Sequence, residues 1–127
     1  MQLESDILTP RLRIRSYGAA DRDFILNMWG DRENGKYMID PAVEHQDERY
    51  LAAIDEMADD PEGYYLVAEL RESGVLVGTC CAFPEAGGNW DMGYCISKVH
   101  WREGLGTEMV GDLIRWIEAQ GGQSVTG

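Results

Sequence analysis

No run of this chain approaches the 18 or so apolar residues that a bilayer span needs, and Met1 to Thr9 has neither the basic start nor the apolar stretch of a secretory leader. Basic residues are scarce: 11 Lys and Arg stand against 23 Asp and Glu, for a net charge of −12. That balance argues against nucleic acid or an anionic membrane as a partner. Cysteine is scarce too. Cys80, Cys81 and Cys95 form an odd count without C-x-x-C or metal-type spacing, so no metal is expected. Adjacent Cys80 and Cys81 would point to opposite faces of a strand. Small buried hydrophobes in a reducing cytoplasm are the expectation. The chain shows no internal repeat and no low-complexity tract.

What is present suits one domain, or part of one: 127 residues, 44% of them hydrophobic. Leu12 to Ser16 alternates apolar with basic residues, which predicts a strand with one polar face. Asp21 to Trp29 predicts a helix with Phe24, Ile25 and Met28 on one side, ended by Gly30. After a loop over Gly35 to Pro41, Glu44 to Ala58 predicts a second helix with the stripe Val43, Tyr50, Ile54, Met57. Tyr64 to Leu70 and Val75 to Phe83 predict two strands joined by the turn Arg71-Glu72-Ser73-Gly74. A glycine-rich turn leads to a fourth strand, Trp90 to Val99. Leu105, Met109, Leu113, Trp116 and Ile117 give the last helix its buried stripe, and Gly121-Gly122 stops it.

The stretch between the fourth strand and the last helix holds the most information: His100-Trp101-Arg102-Glu103-Gly104-Leu105-Gly106-Thr107-Glu108. A helix start leaves N–H groups unpaired, and glycines let a ligand approach that backbone. Such a turn is a cradle for an anion such as a pyrophosphate. Lys98, His100 and Arg102 add local positive charge in an acidic chain. No Gly-Lys-Ser/Thr follows, so a Walker-type loop is excluded. Met109 stands where a dinucleotide fingerprint has its third glycine.

Trp101-Arg102-Glu103-Gly104-Leu105-Gly106 resembles the acyl-CoA motif Q/R-x-x-G-x-G/A of the GNAT N-acetyltransferases, with Trp in place of the usual Gln or Arg. The branch that acetylates ribosomal-protein N-termini, RimJ/RimL-like, often has Trp there and continues Thr-Glu, as Thr107-Glu108 do. Thr9-Pro10-Arg11-Leu12-Arg13-Ile14-Arg15 is similar to that branch's opening strand. Asp31-Arg32-Glu33 with Tyr37-Met38, and Asp91-Met92-Gly93-Tyr94, are similar to two further landmarks in the same order.

The resemblance implies an α+β, three-layer GNAT-like fold. Its sheet would be mixed and mostly antiparallel, with helices on both faces, in the order β-α-α-β-β-β-α. It also implies that residues 1–127 form a single acyl-CoA-binding domain, incomplete at the C-terminus. The family's fifth strand would begin near Gln123 to Thr126, leaving the fourth as an exposed edge. Turnover by the 127 residues alone is then doubtful, and a homodimer through the incomplete edge is a candidate arrangement. The implied reaction is acetyl transfer from acetyl-CoA to a primary amine, on a protein N-terminus or a small molecule, in the cytoplasm and with no metal.

The same resemblance assigns the cofactor site. The cradle would be the Arg102, Glu103, Gly104, Leu105, Gly106 and Thr107 backbone, with Trp101 before it. The pantetheine arm would pair with the extended Tyr94 to Lys98 backbone, through Tyr94, Ile96, Ser97 and Lys98 to Val99. Asp91 stands where the related strand has Glu and is the candidate proton acceptor. Aspartate is a weak base at pH 7 unless water or its surroundings assist. The other reading, a solvated residue alternating with core Trp90 and Met92, is the favoured one. His100 suits phosphate contact better than proton transfer. Trp29, Tyr37 and Met38 would line the acceptor pocket, with core or lid packing as the competing role. Tyr64 and Tyr65 read as strand packing. The acidic surface suits a cationic acceptor and equally suits plain solubility. The competing functions are a non-catalytic CoA-binding module and a dimerisation scaffold.

Overall fold

A computed structural model describes residues 1–29 and 48–126. The loop over Gly35 to Pro41, Val43, and two acceptor-pocket candidates, Tyr37 and Met38, lie outside the described residues. The strands are β1 (Ile7–Leu8), β2 (Leu12–Ser16), β3 (Tyr64–Leu70), β4 (Leu76–Pro84), β5 (Asn89–Ile96) and β6 (Ser124–Thr126). The helices are α1 (Arg22–Trp29), α2 (Glu48–Glu56) and α3 (Leu105–Ala119). One sheet runs in the order β1-β2-β3-β4-β5-β6. Every pair is antiparallel except β5 with β6, which is parallel.

The alternation in β2 does what its pattern requires. Leu12 and Ile14 are fully buried, and Arg13 between them is exposed. One core joins Leu12, Ile14, Leu66, Val77, Ala82, Trp90 and Met92 of the sheet to Leu105, Met109, Leu113 and Ile117 of α3. A second core gathers Tyr17 and Val67 with Ile25 of α1, Ile54 of α2 and Met57. Helices therefore cover both faces, as the α+β three-layer reading requires. The second face also carries a buried ion pair: Arg15 reaches Asp21 at 2.8 Å, with Asp21's side chain 4% exposed. Burial pushes Asp21's acid up, but hydrogen bonds from Arg15 and the Gly18 N–H outweigh it and hold the carboxyl below its ordinary range.

Three expectations are corrected. The chain has a short strand, β1, ahead of the first one read from the pattern. The fourth strand of that reading, here β5, ends at Ile96 rather than Val99, because Lys98–His100 turns into a 3-10 helix. The strand expected to begin at Gln123 to Thr126 is present, and it covers part of the edge that was expected to be exposed. Ser124–Thr126 pairs in parallel with Asn89, Trp90 and Asp91, so the first part of β5 is not a bare edge.

The geometry at the end of α3 makes that pairing possible. Gly122 N–H donates to the Ile117 carbonyl and Gly121 N–H to the Glu118 carbonyl, both at 3.0 Å, with Gly121 left-handed at φ 93°. This is a Schellman stop. A Cβ on Gly122 would lie 2.6 Å from Ile117 and 2.9 Å from Trp90. Only glycine lets the chain leave the helix this close to the core. Gln123 N–H then donates to the Gly88 carbonyl, delivering β6 to β5. No helix of the described residues is long and apolar enough to cross a membrane.

Candidate functional site: the turn between β5 and α3

Strand β5 hands over to α3 through a folded turn. Ser97 N–H donates to the Val77 carbonyl and His100 N–H to the Ser97 carbonyl, each at 2.8 Å. The Trp101 indole Nε1 donates to the Ile96 carbonyl at 2.7 Å, closing the turn across the end of the strand. Trp101 therefore acts as a brace at the position where the family motif usually has Gln or Arg. Two residues of the turn are left-handed: Arg102 at φ 68° and Gly104 at φ 78°. For a non-glycine residue such a φ is strained.

Gly104 is the N-cap of α3, with φ 78° and ψ 5° and no side-chain cap. The first intrahelical bond runs from Glu108 N–H to the Gly104 carbonyl at 3.1 Å. The N–H groups of Leu105, Gly106 and Thr107 precede it and have no intrahelical acceptor. A Cβ on Gly106 would sit 3.5 Å from Ile96 and 3.9 Å from Tyr94. Gly106 thus faces the strand residues expected to meet the pantetheine arm, and an alanine fits there. Tyr94 is 54% exposed and Val99 75% exposed beside this turn.

Lys98 and Arg102 are exposed. His100 Nδ1 lies 3.3 Å from Glu103 Oε2, so a carboxylate of the turn itself engages the imidazole. Two residues without a role in the sequence reading, Arg11 and Glu108, tie the N-terminal segment to this turn. Glu108, in the first turn of α3, accepts hydrogen bonds from the Arg11 N–H and Arg11 Nε, each at 2.8 Å, and from the Thr9 hydroxyl. Burial raises the Glu108 acid, but the hydrogen bonds from Thr9 and Arg11 outweigh that and hold the carboxyl below its ordinary range. Both motifs were noted as landmarks in the sequence. Their contact, across 97 residues of chain, was not legible there.

Asp91 is half-buried on β5, opposite Phe83 of β4 and Thr126 of β6. By alternation it lies on the face opposite Tyr94, with Gly93 and Cys95. Cys81 is its neighbour on that face: burial pushes the thiol up to about 11, against a hydrogen bond from Gly93, and the Asp91 charge adds to the rise. Trp29 packs against the second core, and its Nε1 donates to the Thr79 hydroxyl at 3.4 Å. Tyr64 meets Trp90 and Trp116, and Tyr65 meets Phe83, as strand packing requires. Among the described residues no three His, Cys, Asp or Glu side chains group as metal ligands.

With this geometry in place, comparison with known proteins is decisive at the level of family. The family described as "Acetyltransferase (GNAT) domain" matches residues 11–126. This chain belongs to the GNAT acetyltransferase family. It is 27% identical over 112 residues to "Uncharacterized N-acetyltransferase p20" of Bacillus licheniformis, covering 85% of this chain and 63% of that relative. A GNAT-family acetyltransferase of Bacillus anthracis superposes with a TM-score of 0.73 at 16% identity, covering 87% of this chain and 64% of that one. Spermidine N-acetyltransferase from Vibrio cholerae, solved with CoA and spermine, gives a TM-score of 0.71 at 17% identity, covering 84% and 63%. The chain thus spans under two thirds of the length of each of these proteins. The structural likenesses carry the GNAT fold alone.

Proposed function

We propose that the turn from Trp101 to Thr107 binds the pyrophosphate of acetyl-CoA, and that the chain serves acetyl transfer to a primary amine. The observation that carries this reading is Gly104: a left-handed helix N-cap without a side-chain cap, at the end of β5, in a GNAT family member. A side chain at that cap would strain the left-handed turn and bring its Cβ within 3.4 Å of Arg11 Nη2. An anion there is held by the backbone and the helix dipole, with Lys98 and Arg102 at the rim.

The acetyl acceptor is read as a cationic amine. The net charge of −12 favours encounter with such a substrate, and the V. cholerae protein of like fold is named for spermidine. The RimJ/RimL-like landmarks Thr9, Arg11, Thr107 and Glu108 support a protein N-terminus as the other acceptor to try. In this reading Tyr94 to Ile96 pairs with the amide-bearing arm of the donor. N–H groups at the end of β5 stabilise the developing oxyanion. Asp91, on the opposite face of the strand, takes a proton from the amine, directly or through water. No metal takes part in this reading. Trp29 would line the acceptor side in this reading, and its packing against the second core supports the competing core role.

Calorimetry with acetyl-CoA tests the binding half, and thiol release with spermine against an N-terminal peptide tests the transfer half. Binding abolished by Gly104→Glu supports the reading. Equal affinity in wild type and variant removes the turn from it.

A further inference from the structure

The turn into α3 is held from outside by the N-terminal segment. The Arg11 guanidinium spans two points of it. Nε donates to Glu108 Oε1 and Nη1 donates to the Glu103 carbonyl, each at 2.8 Å. The other Glu108 oxygen accepts from the Arg11 backbone N–H and the Thr9 hydroxyl. Arg71 fixes the segment in turn: its N–H donates to the Arg11 carbonyl and its Nη1 to the Thr9 carbonyl, each at 2.9 Å. A Cβ on Gly104 would lie 3.4 Å from Arg11 Nη2. One side chain therefore bonds residues 103 and 108, which bracket the free N–H groups of the helix start, and lies beside Gly104.

We propose that Arg11 is a positioning residue for the acyl-CoA cradle, acting through Glu108 and the Glu103 carbonyl to hold the left-handed turn in its binding shape. The inference rests on the reading of this turn as the CoA site. Two of the guanidinium's nitrogens are committed to protein acceptors, and Glu108 offsets its charge. Its role is to order the backbone that meets the ligand.

The sign of one substitution separates this role from plain electrostatics. Glu108 is a carboxylate in the first turn of a helix, beside an anion site. If it acted only by its charge, removing it would tighten the binding of an anionic ligand. If it anchors Arg11 and the turn, removing it weakens that binding.

The test is calorimetric titration of the whole chain with CoA, with a thermal melt of each variant. Glu108→Ala and Arg11→Met are each expected to weaken CoA about tenfold, the scale of one charge-assisted hydrogen-bond network. The conservative Glu108→Gln and Arg11→Lys retain part of the network and fall between wild type and these variants. The double variant R11M/E108A loses little more than either single one, because both break the same bridge. Should the truncations fail to melt cooperatively, the two conservative variants carry the test, with weakening expected in both. Wild type that binds CoA while Glu108→Gln or Glu108→Ala binds equally well or tighter overturns the proposal. So does a double variant that shows the full sum of the two losses. Wild type that binds no CoA removes the reading of the turn as a CoA site, and the positioning role falls with it.

Discussion

Gly104 and Gly106 stand two residues apart in one motif, yet the structure gives alanine opposite effects at the two positions. Gly104 has φ 78°, and a Cβ there would sit 3.4 Å from Arg11 Nη2. A left-handed conformation costs a non-glycine residue about 1–2 kcal/mol. Alanine recovers about 0.4–1 kcal/mol by restricting the unfolded chain. Gly104→Ala is thus expected to destabilise by about 1 kcal/mol. Gly106 lies inside α3 without a positive φ, and its Cβ would make ordinary contacts at 3.5 and 3.9 Å. Gly106→Ala is expected to stabilise by about 0.5–1 kcal/mol on helix propensity. The variants should therefore differ by about 2 kcal/mol, or roughly 8 °C in Tm at about 4 °C per kcal/mol. Urea titrations with a common slope and thermal melts measure it. A Gly104→Ala variant as stable as Gly106→Ala would refute the claim that the turn's shape, rather than space around it, demands glycine at position 104.

Further perturbations reach other parts of the structure. Met109→Ala or Ile117→Ala empties a fully buried site under the sheet and should cost about 2–5 kcal/mol in urea unfolding; a loss under 1 kcal/mol would contradict the packing. Asp21→Ala leaves Arg15 with Glu69, at 3.5 Å, as its carboxylate partner among the described residues, and should cost about 3 kcal/mol at pH 7. Because the folded Asp21 and Glu108 carboxyls both lie below their ordinary values, the stability they add is present above about pH 4. It is lost as pH falls through their folded values, so Asp21→Ala should shrink the wild-type loss of stability in acid; an unchanged acid limb argues against the pair. Cys80, Cys81 and Cys95 are raised by burial, the last two to about 11. A thiol reagent at pH 8 should label them slowly until the chain unfolds, and rapid labelling of the folded protein would place them wrongly. Asp91→Asn should lower kcat with acetyl-CoA affinity held, and wild-type kinetics would remove Asp91 from the reaction.

The elements with a strong period were legible in the sequence. Leu12 and Ile14 alternate with arginines, and Leu105, Met109, Leu113 and Ile117 share one helix face; each pattern is long enough to state its own burial. Strand β1 was not legible, because two residues have no period. Strand β6 carries one apolar residue, Val125, and exists through its parallel partner rather than through its own propensity. The early end of β5 is also tertiary. Ser97 bonds back to Val77 and the Trp101 indole takes the Ile96 carbonyl, which turns the chain before Val99. At the site, the glycine turn was readable from residue type and context. The engagement of His100 by Glu103, and the grip of Arg11 on the turn, depend on side-chain directions that no spacing states.

The central claim is that the turn between β5 and α3 is an acyl-CoA cradle built from backbone N–H groups around Gly104. Calorimetry of wild type and Gly104→Glu with acetyl-CoA tests it most directly, with a melt to confirm that both are folded. Saturable one-to-one binding is expected of the wild type and none of the folded variant, whose carboxylate adds negative charge at the helix N-cap. A folded Gly104→Glu chain that binds acetyl-CoA with wild-type affinity, or a folded wild type that binds none, would contradict it.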